Sequence, residues 1–310
     1  MPHAGSSPWN AYGPWLKERY GAPVHRISID GGFTCPNRDG SKGRGGCTYC
    51  NVDSFVPATA RRLPSISEQV ALGARGILRR HGPGAKFILY FQANTNTYAP
   101  VEKLRALFEE ALAAAPPGTV ELAVGTRPDC LEPEKIDLLE SYAERLTVTV
   151  ELGLESMHDA TLLRVNRGHS HADFLAACEA LRGRRLGLGL HAMFGFPWES
   201  REEMLQTASV INKTPARFLK IHQLHVVEGS VMAAQYRREP FPLLEREAWA
   251  EFLAEFLPRL RADLVIQRVV ASTFPRYLIA PEWAGDPSGA LRFIRSFLLE
   301  KGVIQGSRAV

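Results

Sequence analysis

The 310-residue sequence has few cysteines and no long apolar run. A helix that spans a membrane needs about 18 or more consecutive apolar residues. The longest apolar segments here are short or interrupted by glycine, so we expect no membrane partner. Five cysteines are an odd number, which disfavours a disulfide framework. The opening residues, MPHAGSSPWNAYG, contain no apolar stretch typical of a signal peptide. We therefore expect a protein of the reducing cytoplasm.

A strong excess of one charge is also missing. Lysine and arginine number 37 against 33 aspartate and glutamate residues, which gives a net charge of +4. This is a mild bias toward anionic partners. The arginines occur in short clusters that are more often solvated helix faces than nucleic-acid contacts. These clusters are Arg61-Arg62, Arg79-Arg80, Arg182 to Arg185 and Arg237-Arg238.

The most informative stretch is TCPNRDGSKGRGGCTYCN, at residues 34–51. It places Cys35, Cys47 and Cys50 in a C-x11-C-x2-C pattern, with Tyr49 before the last cysteine. Three thiolates can hold three irons of a four-iron cluster and leave the fourth iron open to a small molecule. Glycines between the cysteines let backbone N–H groups turn toward such a sulfur-rich anion.

Other uses of these cysteines fit less well. A structural zinc site needs four ligands, usually in two close pairs, but Cys130 and Cys178 stand alone and no second C-x2-C exists. A redox CxxC would need neither Cys35 nor the glycine-rich spacer. Both uses remain alternatives to the iron–sulfur interpretation.

Apolar runs alternate with helical patterns along most of the chain. Strands are predicted at 24–29, 87–92, 120–124, 146–152, 186–193 and 218–224, with helices between them. Six β-α units in succession predict an α/β fold, a partial (β/α)6 TIM-type barrel with a C-terminal α/β extension. We place a lead-in at 1–21, the barrel at 22–230, and at 231–310 an extension that covers the barrel opening.

Polar motifs follow each predicted strand. After the first comes the cysteine loop, and the others end in QANTNTY, GTRPD, ELGLES, HAMFGFPWE and KIHQLHVVEG. Barrel enzymes build their active sites at the carboxyl ends of strands. The pattern therefore predicts an enzyme.

These motifs together resemble the radical S-adenosylmethionine (radical SAM) superfamily. Within it, the chain is similar to the branch of the elongator catalytic subunit, and most of all to small bacterial proteins of the YhcC/YtqA type. The resemblance covers residues 20–285 and rests on FTCPNRDG, GGCTYC, TNTY and IHQLHVV. The superfamily's common spacing is C-x3-C-x2-C, whereas eleven residues separate Cys35 from Cys47. Long first spacers are typical of the elongator-like branch.

The resemblance implies two cofactors and an electron donor. A [4Fe–4S] cluster would be held by Cys35, Cys47 and Cys50, and S-adenosyl-L-methionine would chelate the fourth iron. Reduction by a protein such as flavodoxin or ferredoxin would cleave the sulfonium and yield a 5′-deoxyadenosyl radical. The catalytic residues beyond the cofactor site are not indicated.

The resemblance also implies residues that bind SAM. Gln92, Asn94 and Thr95 occupy the place where the superfamily binds the methionine amino group, and their oxygens can accept from an ammonium. Glu151 and Glu155 end the fourth strand, where relatives hold the ribose hydroxyls. Relatives often have Gln at the second of these positions.

Four further residues have a structural alternative. Arg127 could pair with the cofactor carboxylate or a substrate anion, or belong to a structural ion pair. Met193 and Phe194 are predicted to pack on adenine, or else to be core. Asp129 could cap the following helix.

The histidines and the remaining cysteines are less informative. His191, His222 and His225 lie at strand ends, where a buried structural role is the common outcome. Arg164, Arg167, His169 and His171 suggest a substrate-facing basic patch. A buried, inert role is expected for Cys130 and Cys178.

The resemblance implies a substrate as well. Members of the elongator-like branch modify the wobble uridine of tRNA, and we expect tRNA as the partner here. Two alternatives remain. One is a radical SAM enzyme acting on an anionic small-molecule metabolite. The other is a non-enzymatic iron–sulfur or zinc protein that binds RNA.

Overall fold

A curled parallel sheet forms the centre of the protein. The structure, a computed structural model, describes residues 7–56 and 65–309; the predicted cluster Arg61-Arg62 lies outside the described residues. The strands are β1 (Val24–Ile29), β2 (Lys86–Phe91), β3 (Thr119–Thr126), β4 (Thr147–Glu155), β5 (Gly187–Phe194), β6 (Phe218–Gln223), β7 (Val226–Val227), β8 (Val265–Arg268) and β9 (Leu278–Ala280). Seven of them form a half-barrel in the order β1-β2-β3-β4-β5-β6-β8, and β7 pairs with β9.

Helices cover the outer face of this sheet. They are α1 (Tyr12–Tyr20), α2 (Ile66–His81), α3 (Val101–Ala113), α4 (Pro133–Ser141), α5 (Asp159–Arg164), α6 (His171–Ala180), α7 (Arg201–Lys213), α8 (Val231–Arg238), α9 (Arg246–Arg259) and α10 (Pro287–Glu300). Capping boxes formed by Ser65, Ser170 and Ser200 begin α2, α6 and α7. Within the described ranges, no helix has both the length and the apolar character needed to cross a membrane.

The predicted α/β class and partial barrel are confirmed. All six predicted strands are present with small differences at their ends. A further strand, β8, lies in the C-terminal extension and pairs with β6 as the seventh strand of the same sheet. The division at residues 21 and 230 stays a prediction.

The inner and outer faces of the strands differ in chemistry. On β4, Val150, Leu152 and Leu154 are buried in the core between sheet and helices, whereas Glu151 and Glu155 line the barrel interior. Successive side chains of a strand point to opposite faces. The barrel therefore has an apolar outer layer and a polar interior.

Helix α1 packs beside the amino-terminal parts of the strands. Tyr12 and Leu16 pack with Phe218 and Val265, and Ala11 makes a β-bridge with Ile266. The lead-in is thus attached to both β6 and β8, the last two strands of the sheet.

We predict that the packing of α9 in the main core makes a large contribution to the free energy of unfolding. Leu253 on α9 is fully buried in the main core, so Leu253→Ala should lower the free energy of unfolding by about 2–5 kcal/mol. Leu163→Ala is the matched control, because Leu163 is 83% exposed and should change stability by about 0.5 kcal/mol or less. Urea unfolding followed by circular dichroism measures both. Equal effects would contradict this packing.

Candidate functional site

One cavity of about 380 Å³ opens at the carboxyl ends of the strands. All the residues predicted to bind the cofactors line it: Cys35, Cys47, Cys50, Gln92, Asn94, Thr95, Arg127, Glu151, Glu155 and Met193. The structure therefore brings together residues from the cysteine loop and from β2 to β5. Their roles as ligands stay predictions.

Hydrogen-bond donors surround the three cysteine sulfurs. Asn37 Nδ2 donates to Cys47 Sγ at 3.3 Å, and an Arg38 terminal nitrogen donates to Cys50 Sγ at 3.3 Å. The Oγ1 of Thr95 lies 3.0 Å from Cys35 Sγ. Hydrogen bonds to sulfur stabilise a thiolate-ligated cluster and tune its potential. The donor set therefore fits an anionic iron–sulfur cluster.

Burial opposes ionisation of two of the cysteine thiols. All five cysteines are free. Burial raises the pKa of Cys35, and burial followed by the neighbouring Cys47 raises that of Cys50 to about 11. A bound metal deprotonates a coordinating thiol. The thiolate form of these two residues would therefore depend on bound iron.

The three cysteines are not grouped as ligands of one metal ion. Among the described residues, no three His, Cys, Asp or Glu side chains are grouped to hold one metal ion. A four-iron cluster has a different requirement, because each cysteine binds a different iron.

Glycine is required in the cysteine loop where Arg38 passes. Gly46 has a φ of 79°, in the left-handed region that favours glycine. An added Cβ would lie 2.8 Å from Arg38 Nε. A larger residue at position 46 would therefore displace the guanidinium that contacts Cys50.

Arg167 connects the cysteine loop to the end of β4. Its side chain donates to Cys47 Sγ at 3.6 Å and to the Gly153 carbonyl at 3.3 Å, and it pairs with Glu155 at 3.3 Å. A Cβ on Gly153 would lie 2.4 Å from both Arg167 and Glu155. The glycine of ELGLES thus makes room for this ion pair.

Two of the four members of the predicted basic patch are buried, although Arg167 still lines the cavity. Arg167 and His169 are only 8% and 6% exposed, and Arg167 Nε donates to His169 Nε2 at 2.9 Å. Burial, followed by the charge of Arg167, lowers the pKa of His169 to about 3, so this histidine is neutral. Arg164 is exposed and stacks on Trp198, and His171 begins α6.

Arg127 belongs to a buried ion pair, as its structural alternative predicted. Its Nε and one terminal nitrogen donate to the two carboxylate oxygens of Asp129, each at 2.9 Å. Its other terminal nitrogen donates to the Arg167 carbonyl at 2.6 Å. Asp129 also accepts from Lys42 at 2.6 Å. The prediction that Asp129 caps a helix is wrong, because its oxygens bind these two cations.

Glu151 lies at the centre of a buried polar network. Its Oε2 accepts from Tyr90 at 2.6 Å and from Lys220, and lies 2.9 Å from His191 Nε2. Burial alone would raise the pKa of Glu151, but the charge of Lys220, followed by His191 and Arg26, lowers it well below the usual value. Glu151 is therefore a carboxylate.

The second oxygen of Glu151 has no hydrogen bond to a described residue. Oε1 is buried there without a partner, and an Arg26 nitrogen lies 3.7 Å from it. Buried polar atoms are rarely left unpaired. An orphaned acceptor on the cavity wall fits the donor hydroxyl that a bound ribose would supply.

The polar residues after β2 are also arranged as acceptors. The amide nitrogen of Asn94 donates to the Phe33 carbonyl at 2.8 Å, and that of Gln92 donates to Ser28 at 3.2 Å. The amide oxygen of Gln92 is then available to an ammonium group, whereas that of Asn94 lies 4.0 Å from Cys35 Sγ.

Met193 and Phe194 point to opposite faces of β5. Met193 lines the cavity, whereas Phe194 packs against Phe252 and Phe256 of α9, with ring centroids 4.9 Å away in each case. The prediction that Phe194 packs on adenine is therefore wrong. Met193 remains placed to do so.

Several contacting residues were not identified from the sequence. Asn37 and Arg38 lie two and three residues after Cys35, a position that could have marked them. Lys220 is a lone lysine inside the apolar strand β6, which is an unusual and informative placement. Nothing local pairs Tyr90 with Glu151, since they lie on different strands.

Comparisons with known proteins agree with this geometry. The sequence model described as the Radical SAM superfamily matches residues 36–211, and that of the Radical_SAM C-terminal domain matches residues 216–300. Protein YhcC of Escherichia coli (strain K12) is 38% identical over 299 residues, which cover 96% of this chain and 94% of YhcC.

Two further similarities concern elongator-like proteins. A tRNA uridine(34) acetyltransferase of Methanocaldococcus infernus is 31% identical over 161 residues, which cover 50% of this chain and 29% of that protein. The solved structure of Methanocaldococcus infernus Elp3 has a TM-score of 0.69 at 17% identity, covering 91% of this chain and 64% of that one. The structural likeness supports the fold.

We predict a large stability cost for breaking the Arg127–Asp129 pair. Asp129→Asn should lower the free energy of unfolding by about 3–5 kcal/mol, because it leaves a buried guanidinium unpaired. Asp137→Asn is the matched control: Asp137 is 62% exposed beside Arg184, and a surface pair contributes about 1 kcal/mol or less. Urea titration at neutral pH measures both.

We predict that the stability difference between wild type and Asp129→Asn depends on pH. Burial opposes ionisation of Asp129, but Arg127 and Lys42 outweigh it and lower its pKa from 3.8 to about 2. A lowered carboxyl pKa stabilises the fold above the unfolded pKa, and this contribution is lost as pH falls through the folded pKa. The stability gap between wild type and Asp129→Asn should therefore narrow from pH 4 to pH 2. A constant gap would contradict the pairing.

Proposed function

This chain belongs to the radical S-adenosylmethionine superfamily, within the family of YhcC, and from that premise we propose that it is a SAM-cleaving enzyme that modifies the wobble uridine of tRNA. Membership implies a [4Fe–4S] cluster and S-adenosyl-L-methionine. The observation that carries the proposal is that the three cysteines share one cavity with all seven residues expected to bind SAM.

Each cysteine has a role in this proposal. Cys35, Cys47 and Cys50 would each ligate one iron and leave the fourth to SAM. A reduced cluster held there would supply the one-electron chemistry that cleaves SAM. The protein supplies binding, orientation and electrostatics.

The other residues orient the cofactor. The oxygens of Gln92, Asn94 and Thr95 would accept from the methionine ammonium, and the unpaired Oε1 of Glu151 would accept from a ribose hydroxyl. Met193 would pack on the adenine. Glu155 is held by Arg167, so we infer that it contributes to the ribose site as the second carboxylate.

The C-terminal extension meets the cysteine loop at the cavity mouth. Ser54 accepts at its carbonyl from the Phe274 backbone N–H at 2.9 Å and from Thr273 Oγ1 at 2.8 Å. We infer that this contact helps to keep water from the radical, in line with the predicted covering role of residues 231–310. The electron donor would be flavodoxin or ferredoxin, and the compartment the reducing cytoplasm.

The tRNA proposal is supported by relatives and by the cavity mouth. The acetyltransferase similarity concerns a protein named for position 34 of tRNA. Phe55, 39% exposed, and Phe274 line the mouth, and aromatic rings can stack a splayed base. The cluster from Arg182 to Arg185 contributes less, because its arginines pair with surface carboxylates. An anionic small molecule is the second candidate substrate.

The first test is cofactor cleavage. Anaerobically reconstituted protein with dithionite should release 5′-deoxyadenosine from SAM, and Cys47→Ala should abolish this release. Cys178→Ala is the matched control, because Cys178 is buried in α6 away from the cavity lining and should retain release. Chromatography of the quenched reaction measures the 5′-deoxyadenosine released by each protein. If the wild type releases none, the non-enzymatic RNA-binding alternative gains support.

The second test concerns the substrate. Adding bulk tRNA should raise 5′-deoxyadenosine release, and the stimulation should weaken as salt rises, because phosphate contacts dominate nucleic-acid affinity. Nucleoside mass spectrometry of the recovered tRNA should then show a changed wobble uridine. Release that tRNA does not change would instead favour the anionic small molecule.

A further inference from the structure

Arg268 on β8 differs from the other arginines that line the cavity. Arg127 is paired with Asp129, and Arg167 with Glu155. Arg38 donates to Cys50. Among residues 7–56 and 65–309, Arg268 has neither a carboxylate partner nor a cysteine partner. It is thus the cavity arginine whose charge the described part of the protein leaves unmatched.

The hydrogen bonds of Arg268 leave most of its guanidinium available. Its Nε donates to His222 Nε2 at 3.0 Å. Its two terminal nitrogens donate no hydrogen bond to a described residue. A guanidinium fork with two such nitrogens matches a carboxylate or phosphate bidentately.

The neighbouring histidine is a neutral partner. Because His222 Nε2 accepts a hydrogen bond, the imidazole carries its proton on Nδ1. Burial, followed by the charge of Arg268, lowers the pKa of His222 well below its usual value. The histidine therefore orients Arg268 without offsetting its charge.

The inner part of the barrel holds three basic side chains, Arg26, Lys220 and Arg268, against two acidic ones, Glu151 and Glu121. Glu151 already accepts from Lys220 and faces Arg26. Among the described residues, Arg268 donates to His222 on β6, the strand that pairs with β8. Arg268 thus belongs to the wall formed by β6 and β8 rather than to the cluster site.

We propose that Arg268 is the anchor of a substrate subsite that binds an anionic group, a carboxylate or a phosphate, inside the barrel. The proposal rests on the proposed function in one respect, that this cavity receives the substrate. His222 orients the guanidinium, and His225 lines the same cavity. The cofactor would occupy the part nearer the cysteines, so the anion belongs to the second reactant.

Anion binding tests the subsite without measuring activity. Full-length protein, reconstituted and supplied with SAM, is titrated calorimetrically with inorganic phosphate and separately with acetate at constant ionic strength. We expect saturable binding of at least one anion. Arg268→Gln should weaken it about tenfold or more, because a charge-assisted hydrogen bond contributes about 1.5–3 kcal/mol. Arg268→Lys should fall in between, because it keeps the charge and loses the fork.

Arg276→Gln is the control, because Arg276 is exposed and stacks on Tyr277 outside the cavity lining. Its anion affinity should equal that of wild type. Stronger binding of phosphate than acetate would identify a phosphate source such as the nucleic-acid backbone, and the reverse would identify a carboxylate on the substrate. No saturable binding by the wild type, or equal binding by wild type, Arg268→Gln and Arg268→Lys, would overturn the proposal.

A chemical footprint locates the site in the wild-type chain, which removes any dependence on variant folding. Phenylglyoxal should modify Arg268 in free protein, and phosphate or acetate should protect it, while Arg276 stays reactive. Peptide mass spectrometry measures the extent of modification of both arginines. Unprotected Arg268 at saturating anion would contradict the subsite. This result is independent of SAM cleavage, so failure of the proposed function would be seen separately in the 5′-deoxyadenosine assay.

Discussion

The buried charge of Arg167 is the interaction on which the cofactor cavity depends. A guanidinium inside a protein is costly unless it is paired and hydrogen-bonded. Arg167 meets this requirement through Cys47 and Glu155, and its own carbonyl accepts from Arg127. The cysteine loop, the end of β4 and the segment before α6 must therefore be in place together. Arg127 is in turn fixed by Asp129, which reaches back to the cysteine loop through Lys42.

The cavity has two parts with different electrostatics. Near the cysteines, arginines and an asparagine point at sulfur atoms. Deeper in the barrel, Glu151 is surrounded by Tyr90, His191 and Lys220. The first part suits an anionic cluster. The second contains Glu151, which we propose for the ribose of SAM, in the same cavity as Arg268, which pairs with no carboxylate of the described residues. The cavity thus has separate groups available to a cofactor and to a second reactant.

Local patterns in the sequence were sufficient for six strands, the barrel class and ten of the residues that line the cavity, but not for Asn37, Arg38 or Tyr90. Strand ends with polar motifs identify the active edge, since parallel strands share it. The hydrogen-bond and ion-pair partners of the cavity residues were not predictable, because they lie far away in the sequence. Cys47 and Arg167, for example, are 120 positions apart. The inward direction of Met193 and the outward direction of Phe194 depend on strand register, which hydrophobicity cannot assign when both residues are apolar. Pairing of β8 with β6 is equally long-range.

The central claim is that Cys35, Cys47 and Cys50 hold a four-iron cluster whose fourth iron is open to SAM. Electron paramagnetic resonance of the anaerobically reconstituted, dithionite-reduced protein tests it most directly. We expect a [4Fe–4S]⁺ signal that changes when SAM is added and disappears in the Cys47→Ala variant. A signal that is unchanged by SAM, or that persists in Cys47→Ala, would contradict this ligation.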